Sequence, residues 1–152
     1  TKDKFFNNHK GNELLNKYTI NEIMIIGSLV EKEGKTEEDK RLISSVIFNR
    51  LSKNLKLEID ATTIFSITKG RYKLERKLTY KDLKIKDKFN TYFVYGLPPK
   101  PICYVSRKTI EIVLENYKSE YLYYFYNEDL GMHIYSKTFA EHKKKLTVYR
   151  KK

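Results

Sequence analysis

Along this chain a threonine is repeatedly followed three residues later by an acid: Thr19 with Glu22, Thr36 with Asp39, Thr79 with Asp82, and Thr138 with Glu141. In that spacing the hydroxyl accepts a backbone N–H of the first helical turn, and the acid reaches back to the N–H of the capping residue. Each pair therefore marks a helix start. The first opens Ile20–Glu33, with Gly34 as a natural C′ stop. The second opens a helix to about Lys53, with Leu42, Ile43, Val46, Ile47 and Leu51 at helical spacing. Leu55, Leu57 and Ile59 alternate with charged residues, which predicts a short strand. Asp60 is placed to cap a short helix over Ala61–Ile67. A basic loop, Lys69–Lys77, precedes the helical turn or two capped by Thr79. Phe89–Tyr95 reads as a strand, and Gly96–Pro101, which holds all the prolines, as a stiff extended loop. Ser106 caps a helix over Arg107–Asn116. Tyr121–Tyr126 and Met132–Tyr135 form a late hairpin about the turn Asn127–Gly131, before a basic last helix. The expectation is an α+β fold, with helices packed on a small antiparallel sheet and no internal repeat or linker.

A length of 152 residues fits one domain, 1–152, with a single core. At 40% hydrophobic the chain is no disordered tail, and 13 Tyr and 8 Phe supply apolar area in the absence of Trp. The net charge of +12 has three readings. A basic chain binds nucleic acid, or lies near an anionic surface or an acidic polymer such as a cell wall, or carries a solvated lysine-rich face with no partner. Its basic residues are spread, with local runs at Arg71–Lys77 and Lys143–Lys145, and no nucleic-acid-binding motif is present. Cys103 stands alone, which excludes an internal disulfide, and beside Ile102 it reads as a packing residue. No stretch approaches the roughly 20 apolar residues of a membrane span. The chain begins at Thr1 rather than Met, as expected of a processed or truncated piece.

Ser28-Leu29-Val30-Glu31-Lys32-Glu33 closes the first long helix. Residues two apart on a helix diverge by roughly 200°, so Glu31 and Glu33 face different sides. Glu33 stacks on Ile26, Leu29 and Val30, whereas Glu31 stacks on Met24, Gly27 and Ser28. Glu33 thus has the more apolar surroundings. Desolvation keeps a carboxyl protonated towards neutrality, as a general acid requires. The plain alternative is two solvated glutamates at a helix end. The small Gly27–Ser28 side equally suits the approach of another segment or of a ligand. Arg50 shares a face with Ile43 and Ile47 and needs a partner, for which Glu31, Glu33 and Asp60 are candidates, unless its head reaches water. Asn49 beside it suits a sugar-binding groove or a structural network alike. Asn90, Thr91 and Tyr92 precede the proline loop, which serves as a groove wall or as a plain turn. His133 lies on a strand, and no second histidine has metal-ligand spacing to it, so neither metal nor cofactor is expected.

The strings SLVEKE, RLISSVIFNRL, EIDATTIF, FNTYFVYGLPPKPI, YLYYFY and HIYSKTFAEH follow one another in an informative order. Together they resemble the catalytic domain of the endolytic murein transglycosylases, over about Thr19 to His142. The resemblance implies a bacterial enzyme, held to the membrane by an upstream helix absent here, with its catalytic domain on the cell-wall side. It implies cleavage within new peptidoglycan strands between N-acetylmuramic acid and N-acetylglucosamine, leaving 1,6-anhydro ends, in a groove at the end of the first long helix. It places the catalytic glutamate in SLVEKE, at Glu33 with Glu31 as the fallback, and substrate-binding residues at Asn49, Arg50, Asp60, Thr62, Asn90, Thr91, Tyr92 and His133. Peptidoglycan synthases are the implied protein partners. The chain departs from the family pattern at Ala61, Lys100 and Met132, and at Tyr104-Val105-Ser106, which affects loop shape and not the proposed acid. The rival readings are a wall-binding domain without chemistry, a nucleic-acid-binding module and a structural partner of synthases.

Overall fold

A computed structural model describes residues 2–150, so residues 1, 151 and 152 of the expected single-domain span lie outside the described ones. Two short helices, α1 (Lys2–Asn7) and α2 (Leu14–Lys17), precede the elements expected from the sequence. They dock Phe6 and Leu14 into the core. The centre of the fold is α3 (Ile20–Glu33), packed against α4 (Glu37–Ser52) and α7 (Arg107–Leu114). Its stripe Ile23, Ile26, Leu29 and Val30 is wholly buried, and meets Ile43 and Ile47 of α4 and Ile110 and Val113 of α7. These residues recur at the spacing of one helix face. The cap of α3 is a complete capping box: Glu22 N donates to Thr19 Oγ1 at 3.1 Å, and Thr19 N to Glu22 Oε1 at 2.9 Å. Between α4 and α7 lie α5 (Asp60–Thr68) and the short α6 (Tyr80–Leu83). The hairpin β1 (Tyr123–Asn127) and β2 (Met132–Ser136) is antiparallel, with Tyr124 opposite Tyr135 and Tyr126 opposite His133. The last helix, α8 (Phe139–Arg150), packs on both strands. The helix-rich α+β architecture with one small sheet is the expected one.

Three local expectations are corrected. Residues 55–59 keep the expected alternation, with Leu57 and Ile59 buried and Glu58 exposed, yet they form no strand, because Glu58 sits in the left-handed region at φ 52°. Glu58 N donates to Thr91 O, but the next donor, Ile59 N, goes to the Thr91 hydroxyl, and the ladder stops after one rung. Phe89–Tyr95 is a succession of turns. The Asn90 amide causes this: its Oδ1 accepts from Tyr92 N, its Nδ2 donates to Leu83 O and Ile85 O, and Phe93 N and Val94 N both return to Asn90 O. An asparagine that hydrogen-bonds nearby backbone in this way competes with strand pairing. Asp60 is the first helical residue of α5 rather than its side-chain cap, because its carboxylate is turned to Tyr92 instead.

Two glycines have steric roles. Gly34 ends α3 in an extended conformation, φ −79°, and not in the left-handed one expected of a C′ glycine. A side chain there would collide with Lys40. A Cβ on Gly27 would lie 2.6 Å from Ile110 Cδ1 and 2.9 Å from Val105 Cγ1. The small side of α3 is therefore where α7 approaches, and no ligand is needed to explain it. Gly27→Val is expected to destabilise the fold by about 2 kcal/mol through overpacking. Urea unfolding that gives the wild-type midpoint would refute the tight α3–α7 contact.

Candidate active site

At the C-terminal end of α3 opens a cleft of about 940 Å³. Glu33 from α3, Arg50 from α4, Asp60 from α5, Tyr92 from the turns before the proline loop, Tyr124 from β1 and His133 from β2 all line it. Elements distant in sequence thus converge on the last turn of one helix.

The two glutamates diverge as their spacing requires. Glu31 turns to α7. Its Oε1 accepts from Ser106 N at 2.9 Å, and its Oε2 pairs with Lys40 Nζ at 3.2 Å. Burial alone would raise its pKa, but hydrogen bonds from the Ser106 amide, Thr109, Lys40 and the Ser106 hydroxyl outweigh burial and hold it at about 2. A carboxyl so stabilised as an anion is a poor proton donor near neutrality. Glu33 is the opposite case. It keeps a face on the cleft, while the surrounding protein removes most of the water from its carboxyl. That desolvation is the main reason its pKa is raised. The nearby charge of Asp60 pushes the same way, whereas the hydrogen bond from Tyr124, His133 and Lys35 pull it down without cancelling the rise. Tyr124 Oη donates to Glu33 Oε1 at 3.0 Å.

In the same cleft, Tyr92 Oη donates to Asp60 Oδ1 at 2.7 Å. Behind this wall is a fully buried network. Thr62 and Thr91 share a hydroxyl–hydroxyl hydrogen bond of 2.7 Å, Thr91 N donates to Thr62 Oγ1, and Thr63 Oγ1 donates to Asn90 Oδ1 at 2.7 Å. These bonds tie the turns at 89–95 to α5 and so set where Tyr92 stands relative to Asp60.

Arg50 is buried, as its place on an apolar stripe requires, but its partners are not those expected. Nε donates to Leu122 O and Nη1 to Lys56 O, both at 2.6 Å. Glu58, 3.6 Å away, supplies the counter-charge, and the guanidinium lies 4.8 Å from the Tyr123 ring centroid. Backbone carbonyls and an aromatic face thus satisfy this cation, and Glu31, Glu33 and Asp60 are not needed. Asn49 points elsewhere: its Nδ2 donates to Ser119 O and Tyr121 O, and it lies in a separate small cleft bounded by Glu13 and Lys118. On β2, His133 Nδ1 donates to Asp39 Oδ2 at 2.8 Å, and Tyr135 Oη to Asp39 Oδ1 at 2.5 Å.

Of the residues singled out in the sequence, the fold brings Glu33, Arg50, Asp60, Tyr92 and His133 to one cleft. It places Thr62, Asn90 and Thr91 behind the cleft wall, and Asn49 outside the cleft. Two residues of evident importance escaped the sequence reading. Tyr124 was one tyrosine in the run Tyr121–Tyr126; only strand alternation, which puts residues 124 and 126 on one face, hinted at it. In the sequence Asp39 carries only the signature of a capping acid. Its N–H does bond Thr36 Oγ1, but its carboxylate takes Lys35 N, His133 and Tyr135. At the departures from the family pattern, Ser106 caps α7 and Tyr104 projects into solvent. Among the described residues no group of three or more His, Cys, Asp or Glu is placed to hold a metal ion. No helix among them is long and apolar enough to cross a membrane.

The sequence profile of the YceG-like family matches residues 2–147. The chain is 32% identical over 142 residues to the endolytic murein transglycosylase of Bacillus subtilis strain 168, covering 93% of this chain and 38% of that protein. It is 31% identical over 129 residues to the endolytic murein transglycosylase of Streptococcus pneumoniae strain D39, covering 82% of this chain and 23% of that one. A crystal structure of a YceG-like protein from Listeria monocytogenes superposes with a TM-score of 0.79 at 35% identity, over 90% of this chain and 43% of the other. The chain thus spans less than half the length of each of these relatives.

Proposed function

The chain belongs to the YceG-like family, and from that premise we propose that it carries the catalytic centre of an endolytic lytic transglycosylase of peptidoglycan. The observation that supports this reading is Glu33: one desolvated carboxyl with a raised pKa, lining a cleft of about 940 Å³. Hydrolytic glycosidases normally work with two carboxylates that divide the acid and base roles. A lytic reaction needs only one. Protonated Glu33 gives its proton to the glycosidic oxygen between N-acetylmuramic acid and N-acetylglucosamine as the bond to C1 breaks. The carboxylate then takes the proton of the muramic acid C6 hydroxyl, whose oxygen closes on C1. The nucleophile belongs to the same sugar, so no water has to be positioned and the attack is effectively intramolecular. The enzyme ends in the protonated state in which it began.

Asp60, held by Tyr92, lines the same cleft as Glu33 and acts on it through its charge. Its negative charge supports Glu33 in the acid form and favours positive charge developing at C1. Arg50 and His133 bear on the sugar from the cleft walls. Thr62, Asn90 and Thr91 act through the wall they brace, whereas Asn49 holds the segment 119–121 outside the cleft. The substrate is nascent glycan strand, and the working place is the cell-wall side of a bacterial membrane, with attachment through a segment outside this chain. Synthases that extend the strand are the matching protein partners.

Incubation of this protein with purified uncrosslinked glycan strands, followed by mass spectrometry, tests the reaction. Fragments ending in 1,6-anhydro-N-acetylmuramic acid are expected. Reducing ends would mean hydrolysis and overturn the single-carboxyl scheme, and uncut strands that remain bound would mean a wall-binding domain.

A further inference from the structure

We infer that Tyr124 is a positioning residue for Glu33: by holding Oε1 it leaves Oε2 as the oxygen that gives the proton and later takes one back. The inference rests on the acid–base reading of Glu33 above and names the atom that carries it.

The geometry is specific. Tyr124 Oη donates to Glu33 Oε1 at 3.0 Å. The ring that carries the hydroxyl is fixed on several sides. Tyr124 pairs with Tyr135 in the hairpin register, and its ring meets His133 edge-on at 5.2 Å and Tyr135 at 6.0 Å. His133 and Tyr135 are in turn both held by Asp39. A hydroxyl on so braced a ring has one place to point. Burial keeps the phenol protonated far beyond neutrality, so it donates to Glu33 in both of that residue's states.

The consequence follows from carboxyl chemistry. In a neutral carboxyl the carbonyl oxygen is the better acceptor, and the other oxygen carries the hydrogen. A donor on Oε1 therefore puts the acidic hydrogen on Oε2. In the first step the Oε2–H bond breaks as the glycosidic oxygen gains the proton and its bond to C1 breaks. In the second the C6 hydroxyl proton passes to Oε2 as the C6 oxygen bonds C1. No proton or electron pair is left over. Between the steps Glu33 is an anion, and the same hydrogen bond stabilises it. Tyr124 thus lowers the cost of the charged state that burial raises.

The titratable and charged groups that act on Glu33 are Tyr124 from β1, Asp60 from α5, His133 and Tyr135 from β2, Tyr92 from the turns before the proline loop, and Lys35 just beyond α3. Tyr124→Phe removes only the first and keeps the ring and its edge contacts. In that variant kcat is expected to fall about tenfold, the scale of one lost hydrogen bond to a charged group. KM should stay within about twofold. The alkaline limb of the kcat–pH profile should move upward, because the anion has lost a donor. Carbon-13 NMR of the Glu33 carboxyl should show its titration midpoint moving upward by a matching amount. A residue that merely filled space would lower the melting temperature and leave both the limb and the midpoint in place, which would overturn the inference. An unchanged kcat beside a moved midpoint would overturn it too. The NMR titration needs no turnover. A failure of the proposed reaction therefore shows in the glycan products, and a failure of the tyrosine contact shows in the midpoint.

Discussion

Glu33→Gln is expected to slow glycan cleavage by about 10²–10⁴-fold, the range supplied by a general acid–base group. Glutamine matches the shape and can still accept from Tyr124, so the cleft should persist. What it lacks is a proton that leaves at Oε2 and a site to receive the next one. Glu31→Gln supplies the contrast. Glu31 is tied to Lys40 and Ser106 and held anionic, so its loss should cost stability and leave most of the activity. The two variants separate a chemical role from a structural one within the last turn of one helix.

The Glu33 variant also carries a stability signature. The folded protein raises this carboxyl's pKa above its unfolded value, mainly through burial. A group shifted in that direction contributes its stability below the unfolded pKa, and that contribution is lost as pH rises through the folded pKa. At pH 7 the wild type therefore bears an ionisation penalty that Glu33→Gln escapes. The variant should melt higher at pH 7, by about 2–4 °C per kcal/mol relieved in a chain of this size, and the gain should shrink in acid. A slower but more stable protein is the expected outcome of replacing the desolvated carboxyl proposed as the acid.

Asp39→Ala should have the largest effect on the fold, with about 3–5 kcal/mol of stability lost. Asp39 is the clasp between α4 and the hairpin: its carboxylate accepts from His133 at 2.8 Å, from Tyr135 at 2.5 Å and from Lys35 N at 2.9 Å. The side chains of Asp39 and His133 are only 11% and 5% exposed, so removing the carboxylate leaves buried donors without an acceptor. The sign of the pH dependence is the reverse of that for Glu33. Burial alone would raise the Asp39 pKa, but His133, Tyr135 and Lys35 outweigh burial and lower it. Its contribution is present above the unfolded pKa, about 3.9, and is lost as pH falls through the folded value. The gap between wild type and Asp39→Ala should thus be widest near neutrality and close in strong acid. Because the hairpin carries Tyr124 and His133 to the cleft, activity should fall together with stability. Thermal melts from pH 3 to 8 would measure both trends, and a constant gap across that range would contradict the clasp.

These contacts show where local sequence signals hold and where they give way. The caps at Thr19, Thr79 and Thr138 act through residues three apart, so they read directly from the chain, as do the apolar stripes of α3 and α4. The divergence of Glu31 from Glu33 follows from helix geometry alone. The turns at 89–95 could not be read in this way, because an aromatic run looks like a strand until Asn90 is seen binding backbone on α6 and beyond. Arg50 showed its need for a partner but not the identity of that partner, since carbonyls at Leu122 and Lys56 carry no side-chain signature. Of the cleft itself, Glu33 was legible from its own helix. Tyr124 was not, because its importance arises only when β1 crosses the end of α3.

The most direct test of the whole account is the pH titration of the Glu33 carboxyl in the unliganded protein, followed by carbon-13 NMR and assigned with Glu33→Gln. A midpoint clearly above the model-compound value of about 4.3, beside a Glu31 midpoint well below it, is the predicted result. A Glu33 that titrates at or below that value would be an ordinary solvated acid, and the single-carboxyl mechanism would have no proton donor.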